Sequence, residues 1–359
     1  MEPTPIPHPG RYWRTLDNGL ILCEVCPRAC KLGEGQRGLC FVRGREGGQM
    51  VLHTYGRSSG FCIDPIEKKP LDHFLPGTPV FSFGTAGCNL TCKFCQNWDI
   101  SKSREMDTLM DEASPQAIAR AAKAHGCRSV AFTYNDPVVF LEYAVDTAIA
   151  CRAEGLKTVA VTAGYISPQA RPEFFEPMDA ANVDLKAFNP VFYRELCSAD
   201  LKDVLDTLVW IRTHSKTWLE ITTLLIPGQN DGDDELTAQC RWIKENLGPD
   251  VPLHFSAFHP DFKMRGTPPT PPATLTRARA IGLKEGLHYV YTGNVRDVEG
   301  GTTFCPHCHA ALIVRDQYQI LKWGMKAGAC GRCGTKIPGV FEQAPGTWGA
   351  KREPVRLGG

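Results

Sequence analysis

The sequence predicts an α/β fold, a partial (β/α)6 TIM-like barrel carrying a small cysteine-rich, metal-binding module at each end. Two observations point there. From about residue 76, short β-rich runs alternate with helical stretches through roughly six repeats, and the sixteen cysteines gather mainly at three places. Alternating strand and helix argues for a parallel sheet with right-handed crossovers. Six repeats are too few for a closed eight-fold barrel, so an open or partial one is expected. A doubly wound sheet is the alternative, and would also gather ligands at the carboxyl ends of its strands. Residues 1–75 are expected to form a cysteine-rich cap, 76–295 the barrel, and 296–359 a ribbon-like C-terminal module.

The elements follow in order. Strands are expected at Val80–Phe83, Ser129–Thr133, Thr158–Thr162, Asn182–Lys186, Leu219–Ile226 and Leu253–Phe258, with a further one at His288–Tyr291. Ser114 is a good N-cap, Pro115 suits the first helical position, and Gly126 ends that helix. Apolar residues at helical spacing predict a second helix over Val138–Glu154, stopped by Gly155. The proline-rich run at 266–273 reads as a stiff surface connection.

Composition bounds the function. The chain of 359 residues is 43% hydrophobic and 22% charged with net charge +1, so nothing in it draws the protein to nucleic acid or an anionic membrane. The N-terminus, MEPTPIPHPGRYWRTLDNG, lacks the order of a signal peptide, and no apolar run reaches the roughly 18 residues of a membrane span. A cytoplasmic protein is expected. Disulfides are rare in that compartment, so grouped cysteines read as metal sites. Cys127, Cys151 and Cys240 read as inert packing residues, while Cys62 and Cys197 have no assigned role.

The most informative group is Cys88, Cys92 and Cys95 in GTAGCNLTCKFCQNW, spaced C-x3-C-x2-C directly after the first expected strand. Three thiolates on one loop can hold three irons of a cubane cluster and leave the fourth open to a small molecule. Electron-transfer clusters normally have four cysteines. A zinc knuckle lacking its fourth ligand is the plainer alternative. The other expected strand ends are polar or glycine-bearing as well: Thr133-Tyr134-Asn135-Asp136, Thr162-Ala163-Gly164, Asp184-Leu185-Lys186, the run from Ile226 to Asp231, and Phe258-His259. Such a ring is what an active-site rim needs. Each member also has a bland reading: a turn cap at Asn135–Asp136, an ion pair at Asp184–Lys186, a satisfied core histidine at His259.

The C-terminal cysteines, Cys305, Cys308, Cys330 and Cys333, are spaced C-x2-C-x21-C-x2-C. Two facing knuckles of this kind make a closed S4 site, favoured for Zn2+, with rubredoxin-like iron or a cluster as alternatives. His307 and His309 are expected to be spectators. Cys23, Cys26, Cys30 and Cys40 form the N-terminal group, C-x2-C-x3-C-x9-C, which is open to zinc, the favoured reading, or to an auxiliary [4Fe-4S] cluster. Arg28 and Arg37 would offset the negative charge of either. Glu67, Lys68, Lys69 and His73 are candidates for a substrate entrance, although a solvated charged turn is the stronger expectation.

The cluster loop together with TYNDP, VDLKAF, ITTLLIPGQND and HFSAFHP resembles the radical S-adenosylmethionine (SAM) enzymes, in the branch of the pyruvate formate-lyase activating enzymes. The flanking cysteine runs narrow the resemblance to the radical SAM member of the AmmeMemoRadiSam system. The resemblance implies a [4Fe-4S] cluster on Cys88, Cys92 and Cys95, with SAM chelating the open iron. It implies reductive cleavage of SAM to a 5′-deoxyadenosyl radical that abstracts hydrogen from a protein, peptide or small molecule. An electron donor such as flavodoxin or ferredoxin would then be a partner. Asn135 and Asp136 match the segment that holds the SAM ammonium, with Asp where Glu is usual. Asp184, Lys186 and His259 match residues around the SAM carboxylate and a nearby monovalent cation, Thr162 is a further SAM-site candidate, and Val161 stands where the cation site has an acid. A non-catalytic zinc-knuckle binding module on an α/β scaffold is the competing function.

Overall fold

The computed structural model of the chain describes residues 8–102 and 111–357. Residues 1–7, on which the signal-peptide expectation partly rests, and the last two residues of the polar tail lie outside them. Seven parallel strands form the centre: β1 (Pro79–Phe83), β2 (Ser129–Phe132), β3 (Lys157–Thr162), β4 (Ala180–Asp184), β5 (Trp218–Leu225), β6 (Leu253–Ala257) and β7 (Val290–Gly293). They lie side by side in sequence order. Every crossover therefore steps in one direction, which is the winding of a barrel. A doubly wound sheet would reverse its order at a switch point.

Six crossover helices follow β1 to β6: α1 (Pro115–Ala124), α2 (Leu141–Ala153), α3 (Arg171–Phe175), α4 (Leu201–His214), α5 (Asp233–Asn246) and α6 (Pro272–Lys284). Six strand–helix units plus a closing strand agree with the expected partial barrel. The local signals act as read. Ser114 Oγ accepts from the Ala117 amide at 3.2 Å, and Gly126 leaves the first helix at φ +68°. The proline-rich connection runs along the surface until Pro272 begins α6.

Both end segments also enter this sheet. Phe61–Pro65 pairs antiparallel with β1, and Glu353–Val355 pairs antiparallel with Phe61–Pro65. Two smaller three-stranded sheets make up the rest of the cap, and an antiparallel sheet over 303–323 with a hairpin over 325–330 makes up the C-terminal module. That module is pinned beneath the barrel by Arg315. The guanidinium donates to Asp72 O at 2.7 Å and to Thr303 Oγ1 at 2.9 Å, with Glu67 and Asp72 carboxylates nearby. His73 joins the same junction, with Nε2 at 2.7 Å from Tyr291 Oη. No described helix is long and apolar enough to cross a membrane.

Candidate active site

The loop after β1 turns over the carboxyl end of the sheet, and glycines make the turn possible. A Cβ on Gly84 would lie 2.3 Å from Thr133 O, and one on Gly87 (φ +76°) would lie 1.9 Å from Cys40 O. Asn135, at the end of β2, holds the loop from inside. It accepts from the Thr85 amide at 3.0 Å and donates to Ala86 O at 3.1 Å and Gly87 O at 2.8 Å. Tyr134 supplies the reversal that aims Asn135 this way, in a left-handed conformation at φ 72°. Replacing Asn135 by Ala leaves one buried amide and two carbonyls without partners. The expected cost is about 2–4 kcal/mol in urea unfolding, with faster iron loss from the reconstituted protein.

Cys88, Cys92 and Cys95 all line one cleft at this end of the barrel. Three residues outside the motif act on them. Ser101 Oγ lies 3.0 Å from Cys95 Sγ, Lys102 Nζ donates to Leu90 O at 2.6 Å, and the Cys197 thiol hydrogen-bonds Cys92, drawing the Cys92 pKa down. Cys197 sits where the turn 193–197 pairs its carbonyls with the Thr91 and Lys93 amides, at 3.0 and 2.9 Å. The expected packing cysteines behave as such: burial pushes the thiols of Cys127, Cys151 and Cys240 up to about 12.

The facing wall comes from the ends of β2 to β7, through Asn135, Asp136, Thr162, Asp184, Lys186, Thr222, Ser256 and Asn294. Asp136 is both a turn cap and part of this wall. Its carboxylate accepts from the Val138 amide at 3.0 Å, Thr162 Oγ1 at 2.9 Å and the Ala163 amide at 2.9 Å, tying β2 to β3. Burial raises its pKa against those three bonds. Lys186 Nζ meets Asp184 Oδ2 at 2.9 Å, so the plain ion-pair reading of this segment is correct and the pair also lines the cleft. Burial alone would lower the Lys186 pKa; Asp184 and the neighbouring thiols Cys92 and Cys197 more than reverse this and keep the ammonium charged. Thr222 Oγ1 is buried in the cleft lining and has no partner among the described residues. The cleft has a cavity volume of about 370 Å³, within the ~300–1000 Å³ of a single small-molecule pocket.

His259 is not among these lining residues. It is exposed, three positions beyond Ser256, and the polar residue that β6 gives to the cleft is Ser256. The run from Ile226 to Asp231 is likewise structural, since Asn230 donates to Lys186 O at 2.7 Å and Leu224 O at 2.9 Å. Lys68, Lys69, Tyr134 and Tyr318 also line the cleft. The expectation of a solvated charged turn over 67–73 is corrected here: Lys69 and His73 are 2% and 0% exposed. Lys69 pairs with Asp64 at 2.7 Å, and burial brings its ammonium down to about 8 despite that carboxylate. Glu67 and His73 face the C-terminal module instead of the cleft.

In that module Cys305 and Cys333 sulfurs are 3.6 Å apart, as are those of Cys308 and Cys330. All four ligand atoms lie within 4.8 Å of one another, an arrangement suited to one tetrahedral metal ion. His307 and His309 are exposed and outside the group. Cys23, Cys26, Cys30 and Cys40 line a separate small pocket with Arg28 and Arg43; Arg37 does not line it and lies over the Phe41 ring.

Residues 83–240 match the profile of the radical SAM superfamily. An uncharacterized protein of Methanocaldococcus jannaschii is 40% identical over 91% of this chain and 97% of its own length. The pyruvate formate-lyase 1-activating enzyme of Escherichia coli is 23% identical over 57% of this chain and 89% of its own. Among solved structures, a radical SAM methyltransferase from Sphaerobacter thermophilus superposes with a TM-score of 0.48 at 16% identity, covering 61% of this chain and 67% of that one.

Proposed function

The chain belongs to the radical SAM superfamily, and we propose that it is an activating-enzyme-like catalyst that cleaves SAM reductively to abstract hydrogen from a protein, peptide or small molecule. One observation carries this reading: three thiols on one loop line the same cleft as polar residues drawn from successive strands, including the Thr222 hydroxyl, which has no partner among the described residues. The donor set suits the cofactors. When bound, a [4Fe-4S] cluster on Cys88, Cys92 and Cys95 together with SAM supplies a 5′-deoxyadenosyl radical. The remaining roles belong to the chain. Lys102 and Lys186 offset the negative charge of an anionic centre beside Cys88 and Cys92. Asp184, only partly shielded at 36% side-chain exposure, and the hydroxyls of Thr162 and Thr222 offer polar contacts to SAM. Asn135 and Asp136 border the same space, and their hydrogen bonds position the cluster loop and the β3 end. A one-electron reductant of the flavodoxin or ferredoxin class is needed.

A non-catalytic zinc-knuckle module would leave this cleft and its rim without a role. The test is anaerobic reconstitution with iron and sulfide, then reduction with dithionite in the presence of SAM. Formation of 5′-deoxyadenosine is expected; a protein that bound zinc alone and released none would refute the reading.

For the C-terminal site we propose zinc. Its four sulfurs close a small module that has little apolar core of its own. Cys330→Ala is expected to lose one zinc per chain and to lower the melting temperature by several degrees, while the folded fraction still cleaves SAM. Metal analysis, calorimetry and product assay read the three outcomes.

A further inference from the structure

The N-terminal cysteines differ from the C-terminal ones in spacing, and the difference bears on what they bind. Zinc–sulfur bonds of about 2.3 Å bring four tetrahedral thiolates to within about 3.8 Å of one another. A cubane cluster seats each thiolate on its own iron, which holds the sulfurs roughly 6 Å apart. Among the described residues, Cys305, Cys308, Cys330 and Cys333 are the only group of three or more Cys, His, Asp or Glu side chains whose ligand atoms all lie within 4.8 Å. Any three of Cys23, Cys26, Cys30 and Cys40 therefore include a wider pair, yet all four line one pocket. The reacting loop behaves the same way: Cys88, Cys92 and Cys95 share a cleft without meeting the 4.8 Å limit.

Two cations, the buried Arg43 and the half-buried Arg28, add a second, independent observation. Arg43 is 1% exposed and lines the N-terminal pocket. Its terminal nitrogens are taken by Glu142 and Arg11 O, its guanidinium also acts on the Cys23 thiol, and its buried Nε meets no oxygen or nitrogen acceptor among the described residues. Arg28, also on the pocket wall, buries Nη2 without an acceptor. Buried guanidinium N–H groups are costly to leave unpaired, and cluster sulfurs are acceptors for them. The remaining wall, with Val25, Leu32, Leu39 and Val139, is apolar and would shield such a group from water.

We propose that Cys23, Cys26, Cys30 and Cys40 hold a second [4Fe-4S] cluster, ligated by four cysteines and flanked by Arg28 and Arg43. This replaces the zinc favoured by cysteine pattern alone. The site adjoins the reacting loop, because Cys40 O packs against Gly87 and Arg28 Nε donates to Asn89 O at 2.8 Å, on either side of Cys88. The parallel with Cys88, Cys92 and Cys95 rests on the function proposed above; the sulfur spacing and the two arginine nitrogens without acceptors do not.

The test uses the full chain, purified anaerobically after expression with added iron and cysteine. About eight irons, eight sulfides and one zinc per chain are expected for the two-cluster protein. The triple variant C88A/C92A/C95A should keep about four irons and four sulfides, with cluster absorption in the visible and a reduced-cluster EPR signal. Four irons with two zincs in the unaltered chain, four irons with one zinc, or an iron-free triple variant would each overturn the assignment. Should the triple variant fail to fold, C30S/C40S decides: its iron should fall by half, and unchanged iron overturns the proposal. If the unaltered chain releases no 5′-deoxyadenosine while the triple variant retains four irons, the function reading fails and this one stands.

Discussion

Alanine at Cys88, Cys92 or Cys95 is expected to reduce 5′-deoxyadenosine formation to the enzyme-free background while leaving the chain folded. The loss should be complete because each thiolate would hold a separate iron, and no other described cysteine lines that cleft. Folding should survive because the loop's shape does not depend on its thiols. Asn135 binds the Thr85–Gly87 backbone, Gly87 packs on Cys40 O, and the Thr91 and Lys93 amides pair with the Cys197 and Leu196 carbonyls. Circular dichroism and product chromatography on the same samples separate the two effects. A variant that kept measurable SAM cleavage would exclude these cysteines as the cluster ligands.

The largest stability effect is expected at Glu142. Its carboxylate is fully buried on α2 and receives both Arg43 nitrogens, at 2.7 and 2.9 Å, and the Arg11 amide at 2.5 Å. This bidentate pair joins the cysteine-rich cap to the barrel. Glu142→Gln leaves a buried guanidinium without its counter-charge, which costs about 3–5 kcal/mol. The double variant R43M/E142L should recover much of that loss, since it removes both charges. Urea unfolding of the three proteins gives the comparison, and equal destabilisation of single and double variants would contradict it. The pH dependence has a defined sign. Burial pushes the Glu142 pKa up, but Arg43 outweighs it and the net shift is downward from the ordinary 4.5. Its contribution is therefore fully present above about pH 4.5 and is lost as pH falls through the lower folded value. Glu142→Gln should flatten that acid limb of the stability curve.

Much of the candidate site was legible in the sequence, and the misses share a cause. Strand ends identify which segments reach the rim, so Cys88, Cys92, Cys95, Asn135, Asp136, Thr162, Asp184 and Lys186 all reach the cleft. Proximity to a strand end does not say which face a residue occupies. On β5 and β6 the inward positions are Thr222, Leu224 and Ser256, whereas His259 lies past the strand and outside the cleft. Period-two counting back along each strand could have found Thr222 and Ser256. No short-range signal marks Cys197, about a hundred residues from the loop it touches, or Arg43 as the partner of Glu142.

The sequence by itself determined the barrel class, the three cysteine groups and the loop that carries Cys88, Cys92 and Cys95, because strand–helix alternation and close cysteine spacing are local patterns. Only the tertiary structure decided that the segments at both ends complete the central sheet, that the charged run 67–73 is divided between cleft and module junction, and that of the three cysteine groups the C-terminal one has all its sulfurs within 4.8 Å of one another. Those are distances between parts of the chain remote in sequence, set by how loops and modules pack.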